Sequence, residues 1–223
     1  MNFIFDFDST LVKNESLNDV LSLSSGNNKS KVNEIVKITN MAMEGLISPK
    51  ESMDKRLNLA TISKSFVKII ADKTKNEITN NMIDFISFLK KNKINIYIVS
   101  GGFFEMIEPT ARILGISKNN IFANNFVYNN EIVVGAEKSL LLEDHGKVKM
   151  IKSLKEKGIL VGKNIMIGDG FTDLETFIMG SVDEFICFCG IVLRENVVKQ
   201  SRNIARNVDE LKKISDSIIK LFN

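Results

Sequence analysis

Polar clusters stand at three points in the 223-residue chain where short apolar runs stop. Asp6 and Asp8, with Ser9 and Thr10, follow the run at 2–5; Ser100, Gly101 and Gly102 follow the run at 94–99. Asp169 and Asp173, separated by Gly170, Phe171 and Thr172, follow the run at 164–167, and Lys147 lies upstream of it. Carboxylates gathered in one place repel, and their charge is relieved by protonation or by a cation. Oxygen donors without histidine favour a hard divalent ion, magnesium rather than zinc or copper. An acidic set joined by a serine hydroxyl and glycine amides suits phosphoryl transfer, where catalysis is largely positioning plus charge neutralisation. One histidine, His145, and two cysteines, Cys187 and Cys189, are the whole histidine and cysteine inventory. That inventory argues against a zinc cluster, a disulfide framework, and Ser-His-Asp or Cys-His mechanisms.

For these groups to meet, the chain must bring the ends of its apolar runs to one edge. The runs at 2–5, 94–99, 164–167 and 184–188 read as strands, and helical stretches separate them. Helical spacing is clear at Met82, Ile83, Phe85, Ile86 and Leu89, at Met150, Ile151 and Leu154, and at Val208, Leu211, Ile214 and Ile218. The alternation predicts an α/β fold with a parallel sheet, and such sheets bind ligands just beyond the carboxyl ends of their strands. Asp6, Asp8, Ser100, Asp169 and Asp173 are therefore expected together. Residues 14–77 are helical in pattern and interrupt the alternation, so they read as an inserted helical subdomain between core segments 1–13 and 78–223. Phe126-Val127-Tyr128 and Glu131-Ile132-Val133-Val134 flank Asn129-Asn130 and predict a β-hairpin.

Composition bounds the rest. Apolar residues make up 44% of the chain, ordinary for a globular protein, and 30 basic against 27 acidic residues leave a net charge of +3. That charge is too slight to imply a nucleic-acid partner. No apolar run reaches the roughly 18 residues of a membrane span, and the start at Met1-Asn2-Phe3 meets Asp6 without a basic leader. A cytoplasmic location is the expectation, with monomer and homodimer both open.

Asp6-Phe7-Asp8-Ser9-Thr10, Ser100-Gly101-Gly102-Phe103, Lys147, and Gly168-Asp169-Gly170-Phe171-Thr172-Asp173 resemble, in order, the four motifs of the haloacid dehalogenase (HAD) superfamily. The resemblance covers nearly the whole chain, including the helical segment after the first motif, the Lys-rich stretch at 149–157 and the tail at 185–194. It implies a Rossmann-like core with a small helical cap. It is nearest to the branch of that superfamily whose members hydrolyse phosphoserine, and so implies a magnesium-dependent phosphoric monoester hydrolase releasing L-serine from O-phospho-L-serine. By that resemblance Asp6 is the nucleophile that forms an aspartyl-phosphate, and Asp8 the general acid and base. Asp6, Asp169 and the main-chain carbonyl of Asp8 hold magnesium. Ser100, Gly101 and Lys147 bind the phosphoryl group, Asp173 holds Lys147, and Thr172 lies near the attacking water. Glu15 and Arg56 take the substrate's ammonium and carboxylate, and Met43 lines the same pocket; an Arg fork can grip a carboxylate with two parallel bonds. Turnover of another small phosphomonoester, phosphate transfer to an acceptor hydroxyl, and a non-catalytic phospho-ligand binder are the competing readings. The chain departs from the superfamily at Cys187-Phe188-Cys189-Gly190, where a glycine-rich stretch is common. The two cysteines read as small buried apolar groups. His145 is near Lys147 without an assigned role, and residues 134–145 show no interpretable pattern.

Overall fold

Asn2, Phe3, Ile4 and Phe5 are all buried, as a strand covered on both faces requires. This strand, β1 (Asn2–Phe5), lies inside a six-stranded sheet with β2 (Asn95–Phe103) on one side and β6 (Asn164–Gly168) on the other. Outside β2 is β3 (Ile121–Asn124); outside β6 come β7 (Glu184–Phe188) and β8 (Asn203–Ala205). Every pairing in this sheet is parallel. The structure, a computed structural model, describes residues 1–222.

Side chains alternate across the sheet. Phe3 and Phe5 pack on Met82, Phe85 and Leu89 of α5 (Met82–Lys91), Ile107 of α6 (Phe104–Ile113) and Leu211 of α10 (Val208–Phe222). Ile4, Val99 and Met166 face the other way, onto Ile151 of α7 (Gly146–Glu156), Leu174 of α8 (Phe171–Ile178) and Val197 of α9 (Glu195–Gln200). Phe5 meets Phe85 edge-on with ring centroids 6.1 Å apart, and truncating such a buried ring typically costs about 3–5 kcal/mol. The order of the sheet reverses between β1 and β6, which makes the carboxyl ends of these two strands the switch point where open α/β sheets bind ligands.

Four helices fill the segment between β1 and α5: α1 (Ser16–Ser24), α2 (Lys29–Met43), α3 (Pro49–Leu57) and α4 (Lys64–Thr74). Local chemistry sets three of their starts. Asn28, Ser48 and Ser63 accept from the amides of Lys31, Glu51 and Phe66, and Pro49 occupies the first position of α3. The chain leaves and re-enters the core side by side, with the Lys13 amide donating to the Glu77 carbonyl at 2.8 Å and Val12 bridging Ile78. Leu17, Val20, Ile35, Met53 and Ile70 of these helices share one apolar cluster with Phe103, Met106 and Phe126.

The expected hairpin is present as β4 (Phe126–Asn129) and β5 (Ile132–Ala136), but it turns one residue later than expected, at Asn130 and Glu131 and not Asn129 and Asn130, both with positive φ as a tight two-residue turn requires. It leans on the helical insertion: the Lys64 amide donates to the Glu131 carbonyl at 2.8 Å and the Val133 amide to the Ile62 carbonyl at 2.9 Å. A second expectation is corrected. The second strand does not stop at residue 99; β2 continues through Ser100, Gly101 and Gly102 to Phe103, with a register shift against β3. The glycines take this extended path at no side-chain cost, and Asn124 Nδ2 secures it by donating to the Gly101 carbonyl at 2.9 Å. Among the described residues no helix is long and apolar enough to cross a membrane.

Candidate active site

At the switch point, Asp6 and Asp169 each stand one residue beyond a strand, and the Asp6 amide donates to the Ile167 carbonyl at 2.9 Å. Both are buried. The strand after Phe5 breaks into an irregular turn, Phe7–Leu11, in which Asp8 is extended and Ser9 takes φ of 52°. This turn swings the Asp8 carboxylate to the start of α1, where Ser16 donates twice: its amide to Oδ1 at 2.8 Å and its hydroxyl to Oδ2 at 3.1 Å. Burial, and then the charge of Glu15, push the Asp8 carboxyl well above the ordinary carboxylate range. A carboxyl of that kind carries a proton to give.

Lys147, buried near the start of α7, places Nζ 2.9 Å from Asp6 Oδ1 and 2.6 Å from Asp173 Oδ1. Burial opposes its charge, but the two carboxylates outweigh that and hold the ammonium above the usual lysine range. Asp173 gives its other oxygen to the Gly170 amide at 3.1 Å, so both its oxygens are engaged. Gly168 is required beneath it: a Cβ there would lie 2.3 Å from the Asp173 carboxyl carbon. Ser100 Oγ accepts from the Gly102 amide at 3.0 Å, which leaves its own proton to donate.

Asp6, Asp169 and Asp173 each bring a carboxylate oxygen within 4.8 Å of the others. Burial lifts Asp169 to about 7 against the opposing effect of Arg194. Five buried or half-buried carboxyls (Asp6, Asp8, Glu15, Asp169, Asp173) share the region with the cations of Arg56, Lys147 and Arg194. The excess of negative charge and the all-oxygen donor set fit a hard divalent cation.

The sequence-predicted residues converge. Asp6, Asp8, Glu15, Met43, Arg56, Ser100, Gly101, Lys147 and Thr172 line a single cavity between the sheet edge and the inserted helices. Asp169 and Asp173 sit behind it, reached through Arg194 and Lys147. Arg56 comes from α3 and is almost wholly buried; burial lowers its pKa, against the pull of Glu15 and Asp8. Its Nε already donates to the Ser52 carbonyl at 3.3 Å. Nη1 is committed as well, to Asn18 and Thr39, so Nη2 is the free nitrogen and the expected two-bond fork on a carboxylate is not open in this arrangement. The insertion closes over the core at a tight seam, where a Cβ on Gly170 would lie 2.9 Å from Met43 Sδ.

Several residues at the site escaped the sequence reading. Arg194 is only 3% exposed, and its Nε donates to Asp169 Oδ2 at 2.7 Å. Its other nitrogens reach Asn40 of α2 at 3.3 Å and Glu15 at 3.5 Å, so one side chain joins core, insertion and cavity. Ser9 Oγ donates to Glu15 Oε1 at 2.7 Å, and Asn18 and Thr39 hold Arg56. The stretch before Lys147 contains a short helical turn whose Leu141 and Leu142 line the cavity. His145 has φ of 58° and bonds Glu175 at 2.7 Å while half-exposed, without a bond to Lys147. Cys187 is a buried free thiol, pushed up to about 12 chiefly by burial, in keeping with a packing role.

Comparison with known proteins gives this geometry a lineage. The chain is 37% identical over 195 residues to a chloroplastic phosphoserine phosphatase of Arabidopsis thaliana, covering 86% of this chain and 64% of that protein. The crystal structure of a phosphoserine phosphohydrolase-like protein from Francisella tularensis superposes with a TM-score of 0.88 at 35% identity, covering 96% of this chain and 98% of that one. A structure described as a phospho-aspartyl intermediate analogue of phosphoserine phosphatase gives 0.79 at 25% identity, with 95% and 97% covered. The sequence model of the haloacid dehalogenase-like hydrolases matches residues 3–177, and the chain belongs to that family.

Proposed function

We propose that the chain hydrolyses O-phospho-L-serine to L-serine and phosphate through an aspartyl-phosphate on Asp6. The observation that carries the reading is one cavity with two sets of groups in its walls. Asp6, Asp8, Ser100 and Lys147 suit a phosphoryl group; Glu15 and Arg56 offer an acid and a base to an ammonium and a carboxylate. In this reading 14–77 is the cap that selects the substrate and 1–13 with 78–223 the catalytic core.

Asp6 attacks phosphorus as the bond to the serine oxygen breaks, and the raised carboxyl of Asp8 hands its proton to that oxygen. Asp8, now ionised, takes a proton from water, and the oxygen of that water displaces Asp6 from phosphorus. Ser100 and the Gly101 amide hold the non-bridging oxygens, and Lys147 balances their charge from beside Asp6. Thr172, in the cavity wall, lies beside the path of the water. Asp6, Asp169 and the main-chain carbonyl of Asp8 would hold magnesium, which when bound neutralises phosphoryl charge. Asp173 supports from outside that set, holding Lys147 and the Gly170 amide.

Phosphate release from L-phosphoserine, phosphothreonine, phosphoethanolamine, phosphoglycolate and p-nitrophenyl phosphate, with magnesium and with EDTA, tests the reading. Metal-dependent preference for phosphoserine is expected. Equal turnover of all esters would remove Glu15 and Arg56 from the substrate pocket. No release from any ester would remove the hydrolase assignment for this chain.

A further inference from the structure

Arg56 is useful to a substrate only if its guanidinium stays aimed, and three helices of the insertion converge to hold it. Arg56 on α3 donates from Nη1 to Asn18 Oδ1 of α1 at 3.3 Å and to Thr39 Oγ1 of α2 at 3.2 Å. The Thr39 hydroxyl makes its shorter bond to Asn18 Oδ1, at 2.7 Å, against 3.1 Å to the Ile35 carbonyl. Its proton therefore goes to the amide oxygen while its lone pair faces the guanidinium. Asn18 is 8% exposed, Thr39 2% and Arg56 9%, so water does not compete for these bonds. The Ser52 carbonyl takes Nε, and Nη2 makes no hydrogen bond among the described residues.

Both holders are neutral. No carboxylate forms an ion pair with Arg56 among the described residues, although Glu15 shares its cavity. A carboxylate clamp would orient the guanidinium and cancel its charge together; an amide and a hydroxyl orient it and leave the charge for a ligand.

We propose that Asn18 and Thr39 are positioning residues for substrate specificity: they fix Arg56 from two neighbouring helices so that its free Nη2 receives the carboxylate of an amino-acid phosphate. This rests on the functional reading above and names the residues through which the cap reads the substrate. Neither is a catalytic residue, since each acts through Arg56.

Thr39→Val keeps the shape and removes both bonds. It is expected to raise KM for phosphoserine about tenfold with little change in kcat, and to leave p-nitrophenyl phosphate, which has no carboxylate, unaffected. Thr39→Ser should restore the wild-type KM, and Asn18→Ala should reproduce the Thr39→Val effect. In an Arg56→Ala background Thr39→Val should have no further effect, because nothing remains to be positioned. Equal losses on both esters, no loss on phosphoserine, or a loss that persists without Arg56 would each overturn the proposal. If Thr39→Val melts too low to assay, Asn18→Ala carries the same comparison. A wild type that turns over p-nitrophenyl phosphate and ignores phosphoserine would instead sink the substrate reading itself, an outcome seen before any variant is made.

Discussion

Asp6 and Asp169 stand one residue past two neighbouring strands whose backbones are in register, Phe5 beside Ile167. Glu15 and Arg56 reach the same cavity from the inserted segment, one just before α1 and the other on a helix hung from its neighbours by side-chain bonds. The floor is therefore positioned by peptide hydrogen bonds and a core buried on both sides of the sheet. The roof is positioned by hydroxyls, amides and a seam in which Met43 rests on Gly170. Phosphoryl transfer gains from sub-ångström placement, and the parallel sheet supplies it. On the proposed function, choice of substrate falls to the roof, an insertion joined to the core at adjacent residues.

If floor and roof divide chemistry from selection, variants should separate them. Asp6→Asn should lower turnover of every ester by at least about a thousandfold while the melting temperature shows a folded protein; substantial residual turnover would remove Asp6 as nucleophile. Arg56→Ala should lower kcat/KM for phosphoserine about a hundredfold, the loss of a charged hydrogen-bonding pair, and change p-nitrophenyl phosphate by no more than about threefold. Equal losses on the two substrates would show that the roof takes part in the chemistry.

The floor also predicts a pH response in metal-free protein. The folded pKa of Asp169 is raised from 3.8 to about 7, chiefly by burial, so the folded chain binds this proton more tightly than the unfolded one. Stability is then unpenalised below the unfolded pKa and is lost as pH climbs from about 4 to about 7. Asp169→Asn removes that proton-linked loss. In EDTA, its stability relative to wild type should rise by on the order of 2 kcal/mol between pH 5 and pH 7, followed by urea unfolding. A flat difference would mean that Asp169 ionises freely in the empty pocket.

The same division explains what could be read from the sequence. The strands at 2–5, 164–167 and 184–188 were readable because burial on both faces leaves continuous apolar runs. The carboxylates that follow them were readable because strand ends in a parallel sheet share an edge. The three-residue β8, Asn203-Ile204-Ala205, carries too few apolar positions to stand out. Arg194 was missed for a different reason. Its partners Asp169, Asn40 and Glu15 lie 25, 154 and 179 positions away, and no spacing in the chain brings them together before the fold does. The Asn18–Thr39–Arg56 cluster is hidden likewise, since it exists only once three helices pack.

Arg194 is where floor and roof meet, and it gives the smallest and most discriminating expectation. Two effects of removing it oppose each other. Loss of a cation deepens the negative field and draws a divalent ion more strongly. Loss of the Nε bond to Asp169 Oδ2 leaves a buried carboxyl without the partner that opposes its upward shift. At pH 7 a carboxyl already raised to about 7 would then be protonated, and the ion would have to displace that proton. Each unit of added shift costs tenfold in apparent affinity at a fixed pH below it, and misdirecting a ligating carboxylate costs a further factor of about ten. The proton and the orientation together outweigh the field. Arg194→Met should therefore weaken magnesium binding about tenfold at pH 7 by calorimetry, and the deficit should narrow toward pH 9 as the carboxyl ionises unaided. Asn40→Ala, which loses only the contact to the roof, should bind magnesium as wild type does. Tighter binding by Arg194→Met at pH 7 would instead make this arginine a competitor of the metal, and the floor would owe its charge balance to the roof.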